Sequence, residues 1–209
     1  MLQKETIKPH ALELLKTIQA DNMFAQFHLA GGTGLALQLG HRSSVDLDLF
    51  SLKSFDIDFY LNYLDKSYQF ALDFSAMNTL KGSIGDVKVD FISHPYNLLM
   101  PIVETEQIRL YSVTDVAAMK VNAIAGNGTR SKDFVDLYFL LNQYPINQIL
   151  GFYETKYNDR NTFHAFKSLN YFDEVDLADW PVLMKNKIVT WDEVKTTIDK
   201  QCKEYLKSL

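Results

Sequence analysis

Two carboxylates placed two residues apart are the first feature of this chain with an obvious chemical use. Asp46 and Asp48 flank Leu47 in the run Val45 to Phe50. Side chains along a strand alternate faces, so the pair shares one side while Val45, Leu47 and Leu49 turn into a core. Like charges about 4–5 Å apart cost roughly 1 kcal/mol in water and about 4 kcal/mol at a surface-like dielectric. A divalent cation removes that cost, and hard carboxylate oxygens suit Mg²⁺ or Mn²⁺. Upstream, Gly31-Gly32-Thr33 opens a short apolar run, Leu35 to Leu39, that Gly40 would end. Glycines let backbone N–H groups approach a ligand, Thr33 is placed to cap the helix, and a helix N-terminus favours an anion. The turn or the Asp-x-Asp alone is weak; in this order they describe a seat for a metal–nucleotide complex.

Further along, Met77 to Ile84 and Val87 to Ile92 flank Gly85-Asp86 and read as a hairpin. In its second strand Val87, Val89 and Phe91 share one face, and Lys88, Asp90 and Ile92 the other. Asp90 is then a lone carboxylate in an apolar strand, which is costly without a partner or a metal. Lys120, in DVAAMKVNAIA, sits at helical spacing from Val116, Ala117, Ala123 and Ile124 and has no evident wet face. Either its head snorkels to solvent or its ammonium serves a site. Asp133 and Asp136 share a helix face beside Phe134, Tyr138 and Phe139. Asp133 suits a helix start; Asp136 needs a cation, with Lys120 and Arg130 the candidates. Arg42 reads equally as a phosphate ligand or as the ion-pair partner of Asp46 or another acid, and His41 reads as structural. Asp56 and Asp58 repeat the Asp-x-Asp spelling, but on a helix capped by Ser54 they diverge by about 200° and form a solvated first turn.

A glycine turn, then Asp-x-Asp between apolar residues, then a third Asp on a later strand resembles the DNA polymerase β-like nucleotidyltransferases. Within that superfamily GGTGLALQLGHRSSVDLDLF is similar to the AbiEii/AbiGii toxin-type nucleotidyltransferases of bacterial abortive-infection and toxin–antitoxin systems. The likeness runs from Phe27 to Leu141. It implies an α+β fold, a nucleotidyltransferase-type mixed β-sheet with flanking helices followed by a helical C-terminal half. It implies a metal site of Asp46, Asp48 and Asp90, an NTP substrate, and phosphates cradled by Gly31, Gly32 and Thr33. Lys120, in an AMK-x-x-A pattern, and Arg42 would offset triphosphate charge. The KDFVDL motif would supply a functional acid, Asp136 ahead of Asp133, and nucleotide-binding roles fall to Arg130 and Asp133. The implied reaction moves a nucleoside monophosphate from NTP to an acceptor and releases pyrophosphate. The implied acceptor is RNA, such as the 3′ end of tRNA, the outcome growth arrest, and the partner a cognate antitoxin. Other members of the superfamily modify a protein side chain or a small molecule, and a third reading is a nucleotide-binding module without turnover. Intact carboxylates at 46, 48 and 90 argue against the third.

The elements that must hold these residues follow from periodicity. Pro9 to Gln19 is an amphipathic helix with Leu12, Leu15 and Ile18 inward. Phe27 to Ala30 and Tyr68 to Ala76 read as strands, the latter with Phe70, Leu72 and Phe74 on one face. Pro101 and the polar run Glu104 to Arg109 mark a boundary between a catalytic core, residues 1–100, and a helical region, residues 101–209, that completes the site. Beyond Pro145 the segments are helical and structural, Asp173 to Asp179 is a solvated loop, and Thr190 to Glu193 spells a capping box. The 209 residues are 47% hydrophobic and 22% charged, as in a globular protein with one or two domains. The 14 Phe and 11 Tyr read as packing residues. A net charge of −5 offers no global attraction to nucleic acid, so a local basic patch would have to steer it. A single cysteine, Cys202, and the lack of a membrane span or signal-type apolar segment lead us to expect a reducing cytoplasm.

Overall fold

The computed structural model describes residues 1–158 and 160–208, and the chain divides into two compact units. The first comprises Met1–Gly40, Ser44–Asn97 and Pro101–Tyr111; the second comprises His41–Ser43, Leu98–Met100 and Ser112–Leu209.

The first unit holds strands β1 (His28–Leu29), β2 (Leu47–Ser51), β3 (Ala71–Ala76), β4 (Thr79–Ile84), β5 (Val87–Ser93), β6 (Val103–Thr105) and β7 (Ile108–Leu110). Its helices are α1 (Pro9–Ala20), α2 (Gly31–Leu39) and α3 (Ile57–Tyr68). The strands make one mixed sheet in the order β3-β4-β5-β2-β1-β7-β6, with β2 parallel to β5 and antiparallel to β1. Alternation works as expected in β2 and β5: Leu47, Leu49, Val87, Val89 and Phe91 are buried together with Leu12, Leu15 and Ile18 of α1. The aromatics are packing residues here, Phe24 and Phe27 each lying against Tyr60 and Phe91. Gly40 ends α2 in the left-handed conformation, φ +64°, where a Cβ would also strike the Gln3 side chain.

Four local expectations are corrected. Val45 is 44% exposed, because β2 begins only at Leu47. Asp56, not Ser54, caps α3, its carboxylate accepting from the Phe59 N–H. In β3 a bulge between Leu72 and Phe74 interrupts the alternation, so the two do not share a face, and the strand is exposed along its length. The polar run Glu104 to Arg109 is no link but most of a hairpin: β6 and β7 turn through Glu106 and Gln107, both at positive φ, and join the sheet. The sheet-bearing unit therefore continues to Tyr111.

The second unit contains α4 (Val113–Gly126), α5 (Ser131–Leu141), α6 (Ile146–Lys156), α7 (Thr162–Ser168) and α8 (Trp191–Ser208). Ser112 caps α4 by accepting from the Asp115 N–H. At the start of α8 Thr190 and Glu193 complete both halves of the capping box: Thr190 N–H donates to Glu193 and Glu193 N–H to the Thr190 hydroxyl. Asp176 caps a short 3₁₀ turn in the acidic run, and Asp179 pairs with Lys132. A fully buried ion pair, Lys156 with Asp115 at 2.8 Å, ties α6 to α4. Asp115 accepts there also from the Leu99 and Met100 N–H groups and the Ser112 hydroxyl. Cys202 is buried, and burial pushes its thiol up to about 11. Among the described residues no helix is long and apolar enough to cross a membrane.

Candidate active site

The sheet unit assembles the glycine turn and two of the carboxylates from adjacent elements. β1 ends at Leu29, the chain turns at Gly31 with φ +61°, and α2 begins at once. A Cβ at Gly31 would lie 2.1 Å from Asp48 Oδ2, so the Asp48 carboxylate occupies the space that any other residue's side chain would need. The Ala30 N–H donates to the Asp48 carbonyl at 2.8 Å, which fixes that approach from the backbone. Gly31 and Gly32 form the first turn of α2, where N–H groups have no partners within the helix and the dipole favours negative charge.

Thr33 does not cap this helix; Ala30 occupies that position. The Thr33 hydroxyl is buried, donates to the Asp46 carbonyl and lies 2.8 Å from Ser44 Oγ. It thereby fastens the segment entering β2 to the start of α2. Asp46 stands half-buried immediately before that strand.

Asp48 and Asp90 are directly paired across the parallel strands β2 and β5. In-register neighbours point to the same side of a sheet, so the two carboxylates stand together on the face opposite the core. Asp90 has a partner that the strand pattern did not reveal: Lys81 of β4 is its cross-strand neighbour, and Lys81 Nζ donates to Asp90 Oδ2 at 2.8 Å. The signal was present. Counting back equally from the two-residue turn Gly85-Asp86 sets position 81 opposite position 90. Among the described residues no group of three or more His, Cys, Asp or Glu side chains is drawn together as a metal cluster. The two carboxylates in register fit a hard divalent cation by chemistry, with Lys81 competing for one oxygen of Asp90.

The other expected site residues gather in the helical unit, around Asp136. Arg42 grips Asp136 from two sides, Nε to Oδ1 at 2.6 Å and Nη2 to Oδ2 at 3.0 Å. His41 Nε2 donates to Oδ1 at 2.7 Å, and Lys120 Nζ lies 2.6 Å from Oδ2. Lys120 also donates to Asp133 Oδ1 at 2.7 Å, and Arg130 Nε stands 3.7 Å from Asp133 Oδ2. Lys120 is 6% exposed, so it does not snorkel. Of the two readings of Arg42, the side chain makes the ion pair, and the acid is Asp136. Burial alone would raise the Asp136 carboxyl, but Arg42 and Lys120 override it and hold the group well below the usual carboxylate range. Burial lowers the His41 imidazole, only partly offset by its bond to Asp136, so His41 is neutral and carries its proton on Nε2. Nothing in the sequence linked 42 to 136, which are 94 positions apart.

A sheet that sets a Gly-Gly helix turn against paired acidic strands defines the chain as a nucleotidyltransferase, and comparisons with known proteins agree. The family model described as nucleotidyl transferase AbiEii toxin, type IV TA system, matches residues 13–75 and 67–193. The chain belongs to this toxin family of nucleotidyltransferases. An uncharacterised protein of Aquifex aeolicus is 28% identical over 97% of this chain and 98% of its own. Among solved structures, MenT4, a nucleotidyltransferase toxin of Mycobacterium tuberculosis, shares the fold with a TM-score of 0.61 at 13% identity, over 92% of this chain and 80% of its own. JHP933 from Helicobacter pylori does so with a TM-score of 0.56 at 16% identity, over 97% and 94%.

Proposed function

We propose that the chain transfers a nucleoside monophosphate from an NTP to an RNA acceptor, such as the 3′ end of tRNA, with Asp46, Asp48 and Asp90 holding Mg²⁺ or Mn²⁺. The observation that carries this reading is the Asp48–Asp90 register beside Gly31, whose missing side chain makes room for the Asp48 carboxylate. Bound ions would supply charge neutralisation at the triphosphate and at the attacking oxygen. The backbone N–H groups of Gly31 and Gly32 bind the β- and γ-phosphates, and Thr33 holds the Asp46 segment in place. Asp90 Oδ2 is engaged by Lys81, so Oδ1 is the atom to accept a hydrogen bond from the acceptor hydroxyl. The hydroxyl oxygen attacks the α-phosphorus as its proton passes to Asp90, the bond from the α-phosphorus to the bridging oxygen breaks, and pyrophosphate leaves opposite the incoming group.

Lys120 has three donors and spends two on Asp133 and Asp136, which leaves one N–H of a buried cation for a further acceptor. Asp136, itself gripped by Arg42, and Asp133, beside Arg130, hold that ammonium in position. Acting as a toxin, such a transfer would arrest growth until a cognate antitoxin relieved it. The test is incubation of the purified protein with Mg²⁺, each radiolabelled NTP, and either total RNA or cell protein, with Asp48→Ala as the blank. Label in RNA that Asp48→Ala abolishes is the expected result. Label in protein would move the acceptor to a side chain, and no label would remove the enzymatic reading.

A further inference from the structure

We infer that the open face of the sheet between Asp90 and the β3 edge is the acceptor seat for a single-stranded nucleic acid, with Phe74 the stacking platform for its terminal base. The inference rests on the nucleotidyl-transfer reading and adds the side from which the acceptor comes and what recognises it.

One row of side chains crosses four strands: Phe74 pairs with Lys81, Lys81 with Asp90, and Asp90 with Asp48. All four point to the face opposite the core. Phe74 belongs to this row only because of the bulge in β3. Leu72 opposes Gly82, and Gly82 opposes Val89 on the core side. Strict alternation would send Phe74 to that same side; the extra residue, Asp73, re-aims it to the face of the carboxylates. Bulges beside reacting groups commonly serve to redirect a side chain in this way. The redirected ring is 53% exposed and meets no other ring or cation among the described residues. A ring left more than half exposed on this face contributes little to packing.

Order along the row assigns the ends. Gly31 and the helix turn lie beside Asp48, so the triphosphate and the departing pyrophosphate belong at that end. In-line displacement then brings the attacking hydroxyl from the other end, past Asp90. Neighbouring strands are about 4.8 Å apart, so Phe74 stands roughly 10 Å from Asp90, room for one nucleotide. Lys81 lies between them, and Lys88 is exposed on the same face two residues before Asp90. A flat ring with two ammonium groups matches the base and phosphates of an unpaired strand. On β4 the positions flanking Lys81 on that face, Thr79 and Ser83, are polar.

The experiment uses the full chain and a short single-stranded RNA whose 3′-terminal base is 2-aminopurine, without NTP, so no turnover is needed. Stacking quenches this base. The unmodified protein should bind the RNA with quenching; Phe74→Ala should lose the quenching and weaken binding about tenfold, while Phe74→Tyr restores both. Lys88→Gln should weaken binding and reduce its salt dependence without relieving the quenching. Binding of each NTP, measured separately by equilibrium dialysis, should be the same in all four proteins. Unchanged quenching in Phe74→Ala, absence of RNA binding, or a loss of NTP affinity in that variant would each overturn the acceptor seat. Failure of the underlying reading is distinct: no NTP binding and no label transfer by the unmodified protein, whatever happens at Phe74.

Discussion

Substituting Gly31 by alanine puts a methyl group into the space of the Asp48 carboxylate on a backbone at φ +61°. The left-handed conformation costs a non-glycine residue about 1–2 kcal/mol, and the carboxylate must also move. A displacement of this size at a reacting group lowers rate by about 100-fold, so Gly31→Ala should lose nucleotide transfer to that extent while remaining folded by circular dichroism. Asp136 answers two buried cations. Asp136→Asn removes the charge, leaves the buried Arg42 uncompensated and Lys120 with Asp133 alone, a loss of about 3–5 kcal/mol that urea unfolding would register as a lower midpoint. His41 introduces a pH dependence of definite sign. Its folded pKa lies below the ordinary 6.5, so the unfolded chain takes up a proton that the folded chain refuses. Its contribution is complete above about pH 6.5 and is lost as the pH falls below that value. Melting temperature should drop between about pH 8 and about pH 5, and His41→Gln should flatten part of the slope. His28, lowered by its own burial and by Arg109, keeps the rest.

Strand periodicity made the core side of β2 and β5 legible at the scale of elements, and the two-residue turn contained the Lys81–Asp90 register even though the lysine was not picked out. The bulge in β3 was not legible, because one extra residue changes the face of everything after it and leaves no mark in composition. The helical unit turns on a pair that local sequence did not mark. Lys156 and Asp115 are both fully buried, 41 positions apart, and join α6 to α4. Lys156→Met keeps the stem's volume and deletes the charge, so the buried Asp115 loses its ion-pair partner. We expect a loss of about 3–5 kcal/mol in chemical unfolding, equal to that of a fully broken buried pair, and far more than Lys195→Met on the exposed face of α8.

For the whole molecule the relevant quantity is charge. At −5 the chain has no general attraction for a polyanion, and acceptor binding must come from a few local contacts. Two lysines at the acceptor face release few counterions, so the logarithm of RNA affinity should fall with the logarithm of salt with a slope of about −1 to −2. A slope several times steeper, measured by fluorescence anisotropy over a salt series, would mean that a larger basic surface elsewhere carries the binding.

The amino-acid sequence by itself determined the strand that carries Asp48, with Asp46 just ahead of it, the helix turn at Gly31 and the core faces of β2 and β5, since these follow from spacing along one continuous segment. The α+β class and the nucleotidyltransferase family were likewise readable, because the glycine turn and the acidic strand lie close together in the chain. Tertiary structure alone decided which cations answer Asp136, how far the sheet extends past Pro101, and which face Phe74 occupies. Burial of a charge selects its partner by proximity in space, and strand pairing adds a bulge or a hairpin only when a neighbouring strand is there to be matched; neither condition is written in local sequence.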